Sequence, residues 1–145
     1  MSFSETISPL VGRWLLAWYY MTAVLHAGRD WRSLTPIMHE HHVPLAPLVL
    51  LILLVLAFLG VLSLALGFQA RHGAVLLFGL TALAAFVMHD YWHIDDLSLR
   101  QAEMEIFARD MAICGGLLLV VGMGPGPFSI DGKIGAAKKG KGHGH

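Results

Sequence analysis

Charge is scarce in this chain. Only 14% of its 145 residues are Asp, Glu, Lys or Arg, whereas soluble domains average about 25%. Residues 43–68 form a run of 26 with no ionisable side chain at all. Cysteine is nearly missing too. Cys114 stands alone inside an apolar run, which excludes an intrachain disulfide and a zinc site built from several thiolates. None of the apolar stretches alternates with a period of two, which argues against strands, and lipid admits only helices or closed barrels. There is no HExxH motif. A conventional secretory signal is also lacking: Glu5 precedes the first apolar run, no Lys or Arg lies ahead of Arg13, and no small-residue cleavage site follows. The first apolar segment is therefore expected to stay as a signal anchor.

What the chain has instead is apolar length. Apolar residues make up 56% and mean hydropathy is +0.63. About 20 apolar helical residues cross a hydrocarbon core of roughly 30 Å, and four stretches reach or approach that length. They are residues 7–27, 47–68, 73–92 and 106–123, the last stopped by Gly-Pro-Gly-Pro at 124–127. Pro44 and Pro47 suit a helix entry and not an interior. The fold expected is all-α: an integral membrane protein with a four-transmembrane-helix bundle over residues 1–131. Residues 132–145, rich in Gly, Lys and His, have no apolar face and are expected to be a disordered tail. Its lysines could rest on anionic lipid.

Four spans put both termini on one side, together with Arg71. That side holds Arg13, Arg71, Lys133, Lys138, Lys139 and Lys141; the other holds Arg29, Arg32, Arg100 and Arg109. The positive-inside rule then places the termini in the cytoplasm.

Function must be read from the polar residues between the spans. His26, His39, His41, His42, His89 and His93 fall in or beside the two outer loops, with eight of the ten acids. His89 and His93 are spaced i, i+4, which on a helix presents both rings to one metal ion, and His39, Glu40, His41 and His42 are contiguous. These histidines form the candidate metal set. The alternative is that imidazoles and carboxylates here meet a polar headgroup or pass protons. Aromatic residues, among them Trp14, Trp18, Tyr19, Tyr20, Trp31, Tyr91 and Trp92, gather at span ends as interfacial belts do. Tyr91 and Trp92 could also wall a flat quinone pocket. Arg109 and Asp110 lie one turn into the fourth span, where charge is costly and tends to face protein or water. Adjacent helical residues point about 100° apart, so each is expected to meet another helix. Gly115, Gly116 and Gly122 would let helices approach closely.

The stretch Phe107-Ala-Arg-Asp-Met-Ala-Ile-Cys-Gly-Gly-Leu-Leu-Leu, then Gly124-Pro-Gly and Ser129-Ile-Asp131, resembles the last helix and closing signature of the DoxX family. Gly12-Arg13, His42-Val43-Pro44, Gly67-Phe-Gln-Ala-Arg71 and His89-Asp-Tyr-Trp92 match in order along the chain. The resemblance implies a small four-helix protein of the prokaryotic cytoplasmic membrane. It further implies a redox-associated subunit contacting quinone, with Arg109, Asp110, Tyr91 and Trp92 as cofactor-binding residues, acting in oxidation of a small reduced sulfur compound. The second function class is a non-catalytic accessory or assembly subunit of a larger membrane complex. Partners expected are the lipid bilayer and a membrane protein or second copy; nucleic acid is not expected. Three departures stand out: 56–60 carries no carboxylate where the family often has Glu, the family's Lys near the end of the first span is absent with His26 close by, and Asp110 stands where it has Asn.

Overall fold

The computed structural model describes residues 2–89 and 91–141, and it is helical almost throughout. In chain order the helices are α1 (Phe3–Arg29), α2 (Trp31–Glu40), α3 (Ala46–Leu66), α4 (Ala70–Met88), α5 (Leu97–Met123) and α6 (Ile130–Lys141), with a 3-10 turn at Tyr91–His93. α4 packs against both α3 and α5, and α1 lies along α3 while touching α5 less.

Among the described residues, three helices are long and apolar enough to cross a membrane: α3, α4 and α5. In the most apolar window of α3 only 22% of residues are buried inside the protein. Its flanks expose Leu48, Leu51, Ile52, Val55 and Leu59. In water such a surface would be an aggregation hazard, so it is the surface that faces lipid. The first of the four expected spans differs from the others. α1 has the length, 27 residues, but carries Glu5, Arg13, Tyr19 and Tyr20 among its apolar residues and does not reach the same apolarity.

Each boundary has a local cause. α1 begins in a capping box, with the Ser2 hydroxyl accepting from the Glu5 amide and the Glu5 carboxylate accepting from the Ser2 amide. α3 takes Pro47 in its first turn and ends at Gly67, where φ is +66°. There the Phe68 amide donates to the Ser63 carbonyl and the Gly67 amide to the Leu64 carbonyl, the Schellman pattern. A side chain at Gly67 would strike Ser129 and Arg13. The core joins Ala17 and Tyr20 of α1, Val61 and Leu64 of α3, Ala74 and Leu77 of α4, and Leu117 of α5. Small residues set the α3–α4 distance: a Cβ on Gly60 would lie 2.7 Å from the Leu77 Cγ, and one on Gly73 would lie 3.3 Å from the Gly60 carbonyl.

Two expected features differ. The loop before α3, expected to face outward, contains a ten-residue helix, α2, whose apolar side carries Trp31, Leu34 and Met38 onto Ala46 and Leu50 of α3. And residues 132–141 of the segment expected to lack structure belong to a helix, α6, that begins at Ile130. Its start is fixed: the Ser129 hydroxyl accepts from the Gly132 amide at 2.9 Å, and the Asp131 amide donates to the Gly67 carbonyl at 3.0 Å. From Lys133 to Gly140 it is exposed. The closing Gly-His-Gly-His run at 142–145 lies outside the described residues.

Candidate functional site

Polar side chains gather at the two ends of the bundle. At one end Arg13 of α1, only 2% exposed, donates to the Pro125 carbonyl at 2.6 Å and to the Phe128 carbonyl at 2.9 Å. Backbone groups in the α5–α6 link have no helical partner, and the guanidinium fork satisfies two of them at once. Asp131 works beside it, its two oxygens accepting from the amides of Gln69 at 2.9 Å and Ala70 at 3.1 Å at the start of α4. Arg13 is thus a buried clasp and not the solvated anchor that its place near a span end suggests.

The other end holds the richer chemistry. Asp110 lies 13 residues before the end of α5 at Met123, about 20 Å along the helix at 1.5 Å per residue. Its carboxylate accepts from the Tyr19 hydroxyl of α1 at 3.4 Å. The Nε2 of His89, just past α4, is 3.9 Å away, and Nδ1 of the same ring is 2.7 Å from Glu103 of α5. Helices α1 and α5 and the residue that follows α4 therefore contribute to one polar chain: Glu103, His89, Asp110, Tyr19. Tyr20 extends the polar surface inward by a hydrogen bond with Thr81 of α4.

Arg109 and Asp110 do make a pair, at 3.5 Å. Their backbone positions diverge, but the long Arg109 side chain folds back. Its guanidinium lies 5.7 Å from the centre of the Tyr19 ring, a cation–π placement. The expectation that each charge meets another helix holds through Tyr19 and His89.

A cavity of about 240 Å³ opens beside this cluster between α1, α3, α4 and α5. Tyr19, Tyr20, Thr81, Arg109 and Asp110 give it a polar floor, and residues such as Leu53, Leu54, Leu77 and Leu80 give it apolar walls. Such a site suits a ligand with an apolar body and a hydrogen-bonding head. The imidazole between two carboxylates can also pass a proton from one ring nitrogen to the other. The four-residue chain Glu103, His89, Asp110, Tyr19 holds no Ser, Thr or Cys hydroxyl or thiol of the kind a base would activate.

The expected metal set is dispersed. α4 ends at Met88, and His89 is non-helical with φ −118° and ψ 59°. His89 and His93 consequently do not share a helix face: His89 turns to Glu103, while His93 is exposed in the 3-10 turn beside Trp92. His39, His41 and His42 sit at the end of α2, with His39 and His42 exposed. Among the described residues no group of three or more His, Cys, Asp or Glu is placed to hold a metal ion. Trp92 packs edge-on toward Phe107, at 6.3 Å, and does not line the cavity. The side chain of Tyr91 lies outside the described residues.

Tyr19, Thr81 and Glu103 join the site without having been singled out for it. Tyr19 reads in sequence as a belt aromatic. Arg13, a second intramembrane polar residue six positions earlier, signals that part of α1 faces protein, but it stands about 120° round the helix from Tyr19 and does not mark that face.

Comparison with known proteins overturns the DoxX resemblance, and with it the quinone-contacting, sulfur-oxidising reading. A 69-residue segment, 47% of this chain, is 35% identical to the Surfeit locus protein 4 homolog of Schizosaccharomyces pombe, covering 23% of that protein. A 74-residue segment, 51% of this chain, is 36% identical to the inner membrane protein YqjF of Escherichia coli, covering 52% of it. The matched segments thus span about a quarter and about half of these relatives. No solved structure matches the chain. The short motifs that suggested DoxX are largely Gly, Pro and charged residues at span ends and small residues within spans. Membrane helices need these wherever they turn, anchor or pack, so such matches discriminate families poorly. The SURF4 family model matches residues 10–136, most of the sequence, and the chain belongs to the SURF4 family.

Proposed function

We propose that this chain is a four-span protein of the bacterial cytoplasmic membrane, with α1 as the fourth span, that binds a membrane-dissolved amphiphile through the Asp110 cluster. α1 is as long as α5, and it lies along α3 with its buried face in the common core. Its polar residues Arg13 and Tyr19 both turn to protein partners, as ionisable and polar groups in a span do. Arg71 in the first turn of α4 and the lysines of α6 favour cytoplasmic termini, and likeness to an inner membrane protein favours that membrane.

The observation that carries the binding role is Asp110 itself: a carboxylate 9% exposed, inside a membrane helix, in the polar floor of a lateral cavity whose walls are Leu, Ala and Val. The Asp110 carboxylate and two tyrosine rings face this space beside Arg109, and Glu103 adds a second carboxylate to the adjoining polar chain, so the head favoured is an amine or another hydrogen-bond donor.

A fluorescent long-chain alkylamine titrated into the detergent-solubilised full chain tests this. Saturable binding is expected, weakened about tenfold or more by Asp110→Asn, in line with loss of a charge-assisted hydrogen bond. Thermal unfolding of the variant should remain near that of the parent. Equal binding by parent and variant, or no saturable binding by the parent, overturns the proposal.

A further inference from the structure

At the opposite end of the bundle lies a larger cleft, about 840 Å³, between the α3–α4 link, the α5–α6 link and one side of α6. Its chemistry is basic. Arg71 enters it from the first turn of α4, and Lys133 and Lys139 enter from α6, where residues 133, 136 and 139 recur every third position along one side. Small residues at Gly132, Gly135 and Ala136 leave the floor open. Arg71 lies across the α5–α6 link, its Nη2 3.3 Å from where a side chain on Gly124 would begin.

The one acid in the cleft, Asp131, is already engaged by the amides of Gln69 and Ala70. Among the described residues none of Arg71, Lys133 and Lys139 has a side-chain hydrogen bond or ion pair. Three cations thus converge on an open space without a counter-ion from the protein. The depth is informative as well. The cleft sits where α4 begins and α5 ends, which is the headgroup level of any bilayer that α4 and α5 cross. Its rim includes Met123, 78% exposed, an apolar side chain that a soluble anion would not need but an acyl chain would cover.

We propose that this cleft binds the phosphate of an anionic phospholipid, with Arg71 as the bidentate anchor and Lys133 and Lys139 as point charges from α6. The proposal is independent of the Asp110 site and of which side of the membrane the termini occupy.

Native mass spectrometry of the full chain, released from micelles holding equal phosphatidylglycerol and phosphatidylcholine, tests it. The parent should retain phosphatidylglycerol preferentially. Each neutralised basic residue should lower that preference roughly fivefold, the factor expected per basic side chain at an anionic surface. Arg71→Gln alone should therefore show the effect, and the triple Arg71→Gln, Lys133→Gln, Lys139→Gln variant should abolish it. Lys138→Gln, outside the cleft lining, should leave it within about twofold, the scale of one poorly placed charge. Equal retention of the two lipids by the parent overturns the proposal, as does undiminished preference in Arg71→Gln. Loss of the lipid on adding millimolar inorganic phosphate would assign the cleft to a soluble phosphate instead and likewise overturn it.

Discussion

Asp131 caps Gln69. The carboxylate accepts the Gln69 amide at 2.9 Å with one oxygen and the Ala70 amide at 3.1 Å with the other, 62 and 61 residues away in sequence. A helix usually finds its N-terminal cap in the residue just before it. Here Gln69 sits at that position in a left-handed conformation, φ 49°, and makes no side-chain cap, so α6 supplies the missing acceptor.

Removing that acceptor should loosen both helices. Asp131→Ala is expected to lower stability by about 1 kcal/mol, the usual value of a cap. It should also speed hydrogen exchange at the amides of Gln69 and Ala70. Asp131→Asn, with one acceptor oxygen, should fall between. Thermal unfolding in detergent with exchange mass spectrometry gives both readings, and unchanged exchange at residues 69 and 70 would refute the capping role.

Gly60 sets how closely α3 and α4 pack. A Cβ there would lie 2.7 Å from Leu77 Cγ, and Leu77 is fully buried. Gly60→Val should cost about 1–3 kcal/mol by overpacking. The paired change Gly60→Ala with Leu77→Ala should lose less than the sum of the two single changes. A cycle of these variants in detergent unfolding measures the coupling, and strict additivity would place the contact elsewhere.

Asp96 gives α5 a pH-sensitive start. Its carboxylate accepts from the hydroxyl of Ser98 at 2.7 Å and from the Ser98 amide at 2.9 Å, which hold it below the usual carboxylate range. A group depressed in the folded state contributes stability above its unfolded pKa of about 3.9. That contribution is lost as pH falls through the folded value. Asp96→Ala should therefore speed exchange of the Ser98 amide at neutral pH, after correction for intrinsic rates. The difference between parent and variant should shrink below about pH 4. A difference that persists at pH 2 would contradict the assignment.

Topology follows from the proposed four spans. With α1 crossing, the termini and Arg71 share the cytoplasmic side while His39 and Glu103 face outward. In a Cys114→Ala background, single cysteines at positions 39 and 103 should react with an impermeant maleimide added to intact cells, and one at position 71 should not. If position 39 labels only after the cells are opened, the orientation is reversed.

Some of this fold was legible from residues alone. The uncharged run at 43–68 could only be a buried or lipid-facing helix, and Pro47 and Gly67 mark its ends within a turn. The end of the next helix is not legible. Apolar length to Trp92 suggests a span of 20 residues, whereas α4 stops at Met88 and the ring of His89 meets Glu103. Periodicity within one segment carries no information about a carboxylate 14 residues later. The apolar side of α2 has a helical period, with Trp31, Leu34 and Met38 at i, i+3 and i+7, but the contiguous histidines at its end are the stronger local pattern. Asp110 was recognisable as a charge needing a partner. Which helix supplied that partner depended on how α1 rotates against α5, and a pairing between helices 91 residues apart leaves no local trace.

Arg13 has a consequence for biosynthesis. Its two acceptors, Pro125 and Phe128, are translated 112 and 115 residues after it. While the ribosome makes everything between them, the first helix must wait with a cation that its own neighbours do not satisfy. It would idle at the bilayer edge or beside the translocon, and it would be the last of the long helices to settle. Premature arrest anywhere before residue 125 would then leave a nascent chain whose opening segment can be pulled back out, a ready mark for quality-control proteases.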